Sequence, residues 1–242
     1  FIHLKYFLLL LFPFVMNSDY GYQVIPYQSF SDAGTWIGGF LLLALLVAAL
    51  WALRKKSWFT FPLWFALLTL LLVDNVFFNI GTTMGERLVY HTSLGTSILL
   101  VAGLHEGMKR LQLSSWAGLP ILLLPLLIYY GYATLHRNPD WKNNFTLTMA
   151  DVQTHPTSAT LNGNAFSLLA ERSESPRFRQ EAPLWLDSAI RYGRKALAMH
   201  PKFTTVYKNM GIIMQNKYGP DSAEVYWIKF IEYAGGDPDI PE

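Results

Sequence analysis

A glutamate and an arginine stand side by side in the segment 81–95, GTTMGERLVYHTSLG, just before an apolar stretch. An arginine at such a boundary can hold a phosphate group, because its planar guanidinium matches two oxygens at once. Glu86 could orient Arg87 for that contact, and His91 could donate to a phosphate oxygen. The alternatives are an ion pair that anchors a helix end, where charge costs less than at mid-bilayer, and a His91 bonded to a nearby carbonyl.

A second acidic residue, Asp19, lies in the stretch NSDYGYQVIP together with Tyr20, Tyr22 and Tyr27. An acid among tyrosines could orient a sugar hydroxyl, or it could cap a turn. The sequence favours the cap and leaves the sugar contact open.

Other polar residues give no further site. Asp74 and Asn75 end an apolar run and could line a polar cavity or lie solvated at the headgroups. His105 and Glu106 have no metal-ligating partners at helical spacing, and the chain contains no cysteine. Phosphate-binding glycine loops and hydrolase motifs are absent from the sequence. We therefore identify no cofactor and no metal site, and a need for a divalent metal stays unknown.

The composition separates a membrane part from a soluble part. The chain has 242 residues, of which 52% are hydrophobic and 15% charged, whereas soluble domains carry about 25% charged residues. Most of the charge follows residue 136, so we predict a transmembrane domain over 1–135 and a soluble helical domain over 136–242. A helix needs about 20 apolar residues to cross the bilayer. The predicted spans are 4–16, 35–53, 58–78, 92–108 and 117–135.

Positive charge predicts the orientation of these spans. Arg54–Lys56 and Lys109–Arg110 fall on one side if every run crosses, and that side is cytoplasmic. The connectors 17–34 and 74–91, and the chain after 136, then lie outside. We expect a bacterial inner membrane with a periplasmic C-terminal domain, or alternatively the endoplasmic reticulum with a lumenal one.

The soluble part has the spacing of a helical repeat. Ala189, Ala196 and Pro201 match the second helix of a tetratricopeptide repeat, and Ala223 follows Ala189 by 34 residues, the length of that repeat. A first helix would begin near Tyr207, and small residues would let paired helices approach closely.

An earlier repeat is expected from Pro156 onward. Pro156 precedes Pro201 by 45 residues, which is 11 more than one repeat, and the excess fits an insertion at 171–183, ERSESPRFRQEAP. Residues 141–156 would form the closing helix of a still earlier half-repeat. The alternative is an ordinary α-helical domain.

Three motifs in this order resemble the transmembrane and tetratricopeptide-repeat-containing family of protein O-mannosyltransferases, in the GT-C superfamily. NSDYGYQVIP comes first. ERLVYHTSLG is similar to the family pattern E-R-x-x-Y-x-x-S-x-G, and HRNPDWKNN to the junction R-N-x-x-W-K before the repeats. The residues that fit are Glu86, Arg87, Tyr90, Ser93 and Gly95, and then Arg137, Asn138, Trp141 and Lys142.

The resemblance implies transfer of a sugar, mannose by preference, from a polyprenyl-phosphate-linked donor to protein Ser or Thr on the outer face. Members use an acidic general base near the start of the protein. We expect this chain to be the C-terminal portion of such an enzyme, so the base is carried over onto no residue here. Arg87 is implied as a lipid-phosphate contact with Glu86 as its orienting partner, and Asp19 and Tyr20 are weaker candidates for the same cavity.

Two other functions stay open. A non-catalytic membrane scaffold could dock a partner protein through its repeats, because the concave faces of such arrays bind peptides. A ligase acting on glycans is a further possibility. Membrane lipid, a lipid-linked sugar and a protein acceptor or partner are the expected ligands, and the net charge of +2 argues against nucleic acid.

Overall fold

The computed structural model of the chain describes residues 1–13, 16–21, 24–25, 28–77, 80–112 and 115–234. All regular elements within these ranges are helices, and none of the described residues is in a strand. The chain divides into two compact units. The membrane unit comprises Phe1–Ser18 and Tyr27–Pro139, and the tail unit comprises Asp19–Pro26 and Asp140–Glu242.

Among its described residues the membrane unit has five α-helices, and three helical stretches there are long and apolar enough to cross a bilayer. These are Ala33–Arg54, Glu86–Arg110 and Gly118–Lys142, with 22, 25 and 25 residues. At 1.5 Å per residue the shortest of them extends about 33 Å, which matches a hydrocarbon layer of about 30 Å. The α-helices are α1 (Ile2–Leu11), α2 (Ala33–Arg54), α3 (Thr60–Leu71), α4 (Tyr90–Arg110) and α5 (Ser115–Arg137).

Two of the predicted spans correspond to shorter helices. The runs 4–16 and 58–78 contain α1, with 10 residues, and α3, with 12, about 15 Å and 18 Å of helix. Pro13 disfavours helical backbone just before it, so α1 ends at Leu11. Beyond α3, Asp74 accepts a hydrogen bond from the Val76 N–H and Asn75 takes a positive φ of 59°. Local polar contacts therefore end α3 early.

Small residues bring the helices of the membrane unit together. A side chain added at Gly95 would lie 2.9 Å from the Pro62 carbonyl oxygen and 3.0 Å from the Ala66 backbone, so α3 and α4 touch backbone to backbone. Gly38 of α2 faces the Leu4 backbone of α1 at 3.1 Å in the same way. Most large side chains on α2 and α5 remain exposed, as expected for surfaces that face lipid tails.

The tail unit is a succession of paired helices. α6 (Asn144–Thr154) is followed by α7 (Ala159–Glu174), α8 (Ala182–Met199), α9 (Thr204–Tyr218) and α10 (Pro220–Tyr233). Pairs with extensive contacts are α6 with α7, α7 with α8, and α9 with α10. A 3-10 turn at Pro176–Phe178 connects α7 to α8, so the predicted insertion 171–183 forms the end of α7, this turn and the start of α8.

Large side chains fill the core of the tail unit around a few very small ones. Ala189, Ala196 and Ala223, the alanines that the repeat spacing selects, are fully buried. Phe166 and Met210 are fully buried among them. Their burial stabilises the unit by about 2 kcal/mol or more per large side chain.

The tail unit also contains part of the connector between α1 and α2. Val24 packs against Val152, Leu161 and Ala165. A side chain added at Gly21 would lie 2.8 Å from the Thr160 hydroxyl. This connector therefore covers the first helix pair of the tail unit.

Candidate functional site

The connector between α3 and α4 is held by polar side chains from α1. The His3 Nε2 atom lies 3.0 Å from the Asp74 Oδ2 atom, and the Asp74 side chain is fully buried. The Tyr6 hydroxyl accepts a 3.2 Å hydrogen bond from the Gly85 N–H, and Tyr6 is itself buried. Asp74 is thus a buried partner of His3. The alternative that it lies solvated at the headgroups does not apply to it.

Further hydrogen bonds fix the shape of this connector. The Asn75 amide donates to the Thr82 carbonyl at 2.8 Å, and its oxygen accepts from the Ile80 N–H at 3.0 Å. Thr82 donates through its hydroxyl to the Met84 carbonyl at 3.1 Å. These hydrogen bonds fix the backbone of the connector just before the 3-10 helix Glu86–Val89.

Glu86 and Arg87 have different surroundings. The Glu86 carboxylate accepts a hydrogen bond from the Asn17 backbone N–H, and Asn17 is fully buried. The Arg87 side chain is exposed. Among the ion pairs and side-chain hydrogen bonds of the described residues, none involves the Arg87 guanidinium. Glu86 thus joins two connectors, whereas Arg87 has its charge available to a ligand.

Arg87 shares an exposed face with two rings. Tyr90 and His91 follow it by three and four positions, which places them on the same side of a helical turn. Tyr90 is 75% exposed, His91 is also exposed, and their ring centroids are 5.8 Å apart. This face, made of Arg87, Tyr90 and His91, is named the arginine face below.

The five residues of the E-R-x-x-Y-x-x-S-x-G pattern divide into two groups. Glu86 holds Asn17, Gly95 allows α3 to approach, and the Ser93 hydroxyl donates to the Tyr90 carbonyl at 2.6 Å. These three have structural roles. The exposed side chains of Arg87 and Tyr90 have no comparable role within the membrane unit, so they are the two whose chemistry points outward.

The other two predicted site residues, Asp19 and Tyr20, belong to the tail unit. The Asp19 carboxylate accepts a 3.4 Å hydrogen bond from the Asn164 amide, and Tyr20 is 7% exposed. Tyr22 and Tyr27, which the sequence placed beside them, lie outside the described residues. Asp19 therefore connects the α1–α2 connector to α7.

Sequence inspection missed His3, Tyr6 and Asn17. Each contacts a residue about 70 positions away, as in His3 with Asp74, and no local pattern signals such a partner. The polar residues within an apolar run were the only available hint. Within the part of the chain that the structure describes, no group of three or more His, Asp or Glu side chains could hold a metal ion.

Comparison with curated proteins identifies the relatives of this chain. Protein O-mannosyl-transferase Tmtc3 of Drosophila melanogaster is 28% identical over 212 residues, 84% of this chain and 22% of that protein. Protein O-mannosyl-transferase TMTC1 of Mus musculus is 27% identical over 146 residues, 59% of this chain and 14% of that protein. The chain is a relative of the TMTC protein O-mannosyl-transferases. The family resemblance predicted from the sequence is confirmed.

A third relative agrees, TMTC3 of Mus musculus, at 26% identity over 157 residues, 64% of this chain and 15% of that protein. The chain spans about a fifth or less of the length of these TMTC proteins. No family profile matches the chain. No solved structure matches it either.

Proposed function

We propose that the chain is the C-terminal part of a membrane glycosyltransferase that moves mannose from a polyprenyl-phosphate donor to protein Ser or Thr. The transfer takes place on the non-cytoplasmic face. Kinship with the TMTC proteins supports the reaction class, and the exposed Arg87 supports a role in donor binding. Because these relatives come from animals, the endoplasmic-reticulum alternative is the compartment that we propose.

The exposure of the Arg87 side chain is the observation that supports the proposal most directly. Arg87 belongs to the family pattern, lies at the start of a 25-residue apolar helical stretch and has no ion pair among the described residues. A headgroup phosphate at the membrane boundary is an anionic partner that suits the guanidinium, because the two groups can form two parallel hydrogen bonds. Tyr90 and His91 on the arginine face add a hydroxyl and an imidazole within reach of the same headgroup.

The charges at the helix ends support the orientation that we propose for the membrane helices. α2 ends at Arg54, and α4 ends with Lys109 and Arg110 in its last turn, so both run toward the cytoplasm. The segment between them, residues 55–89, which contains the short helix α3, then returns to the other side of the membrane. The arginine face, the start of α2 and the end of α5 then lie on the non-cytoplasmic side in this proposal.

We further propose that the tail unit is a tetratricopeptide-repeat array that presents the acceptor protein. The fully buried Ala189 and Ala223, 34 residues apart, support it. A side chain added at Gly211 would lie 2.8 Å from the Trp227 ring, and this small-to-large contact joins α9 to α10. The 3-10 turn and the long α7 and α8 accommodate the extra residues that interrupt the period.

Donor capture tests the role of Arg87. Membranes containing the protein are irradiated with a photoreactive polyprenyl-phosphate-mannose, and the labelled fraction is measured against donor concentration. Arg87→Ala is expected to weaken labelling about tenfold or more, because a charge-assisted hydrogen-bond pair is lost. Arg87→Lys keeps the positive charge but cannot form two parallel hydrogen bonds with a phosphate. Its labelling should therefore lie between that of the wild type and that of Arg87→Ala.

Arg110→Ala is the matched control. Arg110 lies at the other end of the same helical stretch, Glu86–Arg110, and pairs with Glu106 at 3.5 Å, so its loss should leave labelling unchanged. Equal labelling by Arg87→Ala and the wild type would reduce Arg87 to a membrane anchor. An equal loss in both variants would mean that the probe responds to any positive charge on α4.

A further inference from the structure

The insertion that interrupts the repeat spacing builds a cleft on the tail unit. The cleft has a volume of about 620 Å³, a size typical of ligand sites. Five of its lining residues, Glu171, Arg172, Ser175, Arg177 and Phe178, come from the insertion 171–183. The others come from α7 and from the start of α6: Leu168, Asn143, Asn144 and Phe145.

Three aromatic rings surround Arg172 in this cleft. Its Cζ atom lies 3.9 Å from the ring centroid of Phe178, 4.4 Å from that of Phe145 and 4.7 Å from that of Trp185. Phe145 and Trp185 meet edge to face, with centroids 6.0 Å apart. The Trp185 indole donates to the Glu181 carboxylate at 3.1 Å. Phe145 and Trp185 are thus fixed by one another and by Glu181, and all three rings hold the guanidinium in place through cation–π contacts.

The charge of Arg172 is not neutralised within the described residues. Its side chain is half-buried, its Nε atom is buried without a hydrogen-bond partner, and none of the ion pairs of the described residues involves it. Glu171 lines the same cleft without pairing with Arg172, and Arg177 adds a second positive charge. Aromatic rings do not neutralise a cation as a carboxylate does, so this cleft favours an anionic ligand.

We propose that this insertion cleft binds the carboxylate of an acidic peptide, with Arg172 as the principal contact. A guanidinium held by rings keeps its planar edge oriented at little entropic cost, and that edge fits a carboxylate. The amide groups of Asn143 and Asn144 offer further donors. Leu168, Phe145 and Phe178 line the cleft and provide apolar surface for neighbouring peptide residues, a combination that suits a peptide better than a lipid headgroup. The inference does not depend on sugar transfer.

Peptide binding to the full chain in detergent micelles tests the proposal. The probes are fluorescein-labelled hexaglutamate and hexaglutamine, followed by anisotropy. Hexaglutamate should bind and hexaglutamine should not. Arg172→Gln should weaken hexaglutamate binding about tenfold or more, because the charge-assisted pair is lost. The affinity of Arg172→Lys should be intermediate, because lysine keeps the positive charge but cannot form two parallel hydrogen bonds with a carboxylate.

Arg191→Gln is the matched control, since Arg191 is an exposed arginine on α8 of the same unit and should not affect binding. Circular dichroism of each variant checks that the helices are intact, and Arg172→Lys serves if Arg172→Gln fails to fold. Wild-type affinity in both Arg172 variants would overturn the proposal. So would equal losses in Arg172→Gln and Arg191→Gln, equal binding of hexaglutamine, or Arg172-dependent capture by phosphatidylserine vesicles without peptide binding.

Discussion

Glycines bring helices together in both units, but glycine contacts with the backbone of another helix are found in the membrane unit. Gly38 and Gly95 make such contacts, whereas other glycines of this unit, such as Gly34, meet side chains. In the tail unit, Gly163, Gly193 and Gly211 each receive a large side chain. The difference follows from the two solvents. Water favours burying large apolar groups, whereas lipid tails give no such advantage, so membrane helices gain most by close backbone contact.

Removing a large buried side chain from the tail unit should have the largest effect on stability. Phe166→Ala removes a fully buried ring and should lower the free energy of unfolding by about 3–5 kcal/mol. Hydrogen exchange of the α7 and α8 amides measures it. Leu184→Ala is the control, because Leu184 of α8 is 70% exposed and surface changes stay within about 0.5 kcal/mol. Similar effects in both variants would mean that the buried ring does not hold the unit together.

A glycine in the membrane unit should give the next largest effect. Gly95→Ala places a methyl group 2.9 Å from the Pro62 carbonyl oxygen, so α3 or α4 must shift, at a cost of about 1–3 kcal/mol. Unfolding in mixed micelles of increasing dodecyl sulfate content measures the loss.

Two other glycines make this test specific to backbone contact. Gly103→Ala is the control within α4, since nothing lies within 4 Å of the added methyl group. Gly193→Ala in the tail unit first meets the Met210 sulfur at 2.8 Å, and a methionine side chain can move aside. A larger cost at Gly193 than at Gly95 would contradict the comparison.

Periodic features of the fold were accessible from the sequence, whereas its long-range contacts were not. The run 35–53 predicted α2, which extends over Ala33–Arg54, because hydropathy alone determines such a helix. Ala189 and Ala223 were selected by spacing and are buried.

The candidate sites were less predictable. The pairing of His3 with Asp74 joins residues 71 positions apart. The rings around Arg172 come from α6, the 3-10 turn and α8. The residues of the arginine face and the position of the insertion could be identified in advance, through the local pattern at 86–95 and the interrupted period.

Loss of a hydroxyl contact between two membrane helices should lower stability less than Gly95→Ala does. The Thr92 and Thr69 hydroxyl oxygens of α4 and α3 lie 3.0 Å apart, and Thr92 is 1% exposed. Thr92→Val keeps the shape and should cost about 0.6 kcal/mol, the typical value for such bonds in membranes. The same dodecyl sulfate titration measures it, with exposed Ser97→Ala of α4 as control. A cost above that of Gly95→Ala would mean that polar contacts, rather than close backbones, hold this unit together.

The smallest expected effect is a surface ion pair of the tail unit. The Lys217 ammonium lies 2.5 Å from the Asp187 carboxylate, and this hydrogen bond is the main cause that raises the pKa of Lys217. A raised pKa means that the pair stabilises the folded state fully below the ordinary lysine value of about 10.4 and loses this contribution as the pH rises through the folded-state pKa. Exposed pairs contribute about 0 to 1 kcal/mol. Because the Asp187 side chain is 64% exposed, we expect the lower half of that range, so Asp187→Asn should lower stability by about 0.5 kcal/mol or less at pH 8.

The pH dependence separates this pair from core packing. From pH 8 to about pH 10 the stability difference between the wild type and Asp187→Asn should stay constant, and above that it should shrink. At pH 8, 1 M salt should reduce it. Thermal unfolding of the tail helices, followed by circular dichroism, measures both. Phe166→Ala should show neither dependence, since a buried ring carries no charge. A pH-independent difference for Asp187→Asn would assign its effect to helix packing on α8 rather than to Lys217.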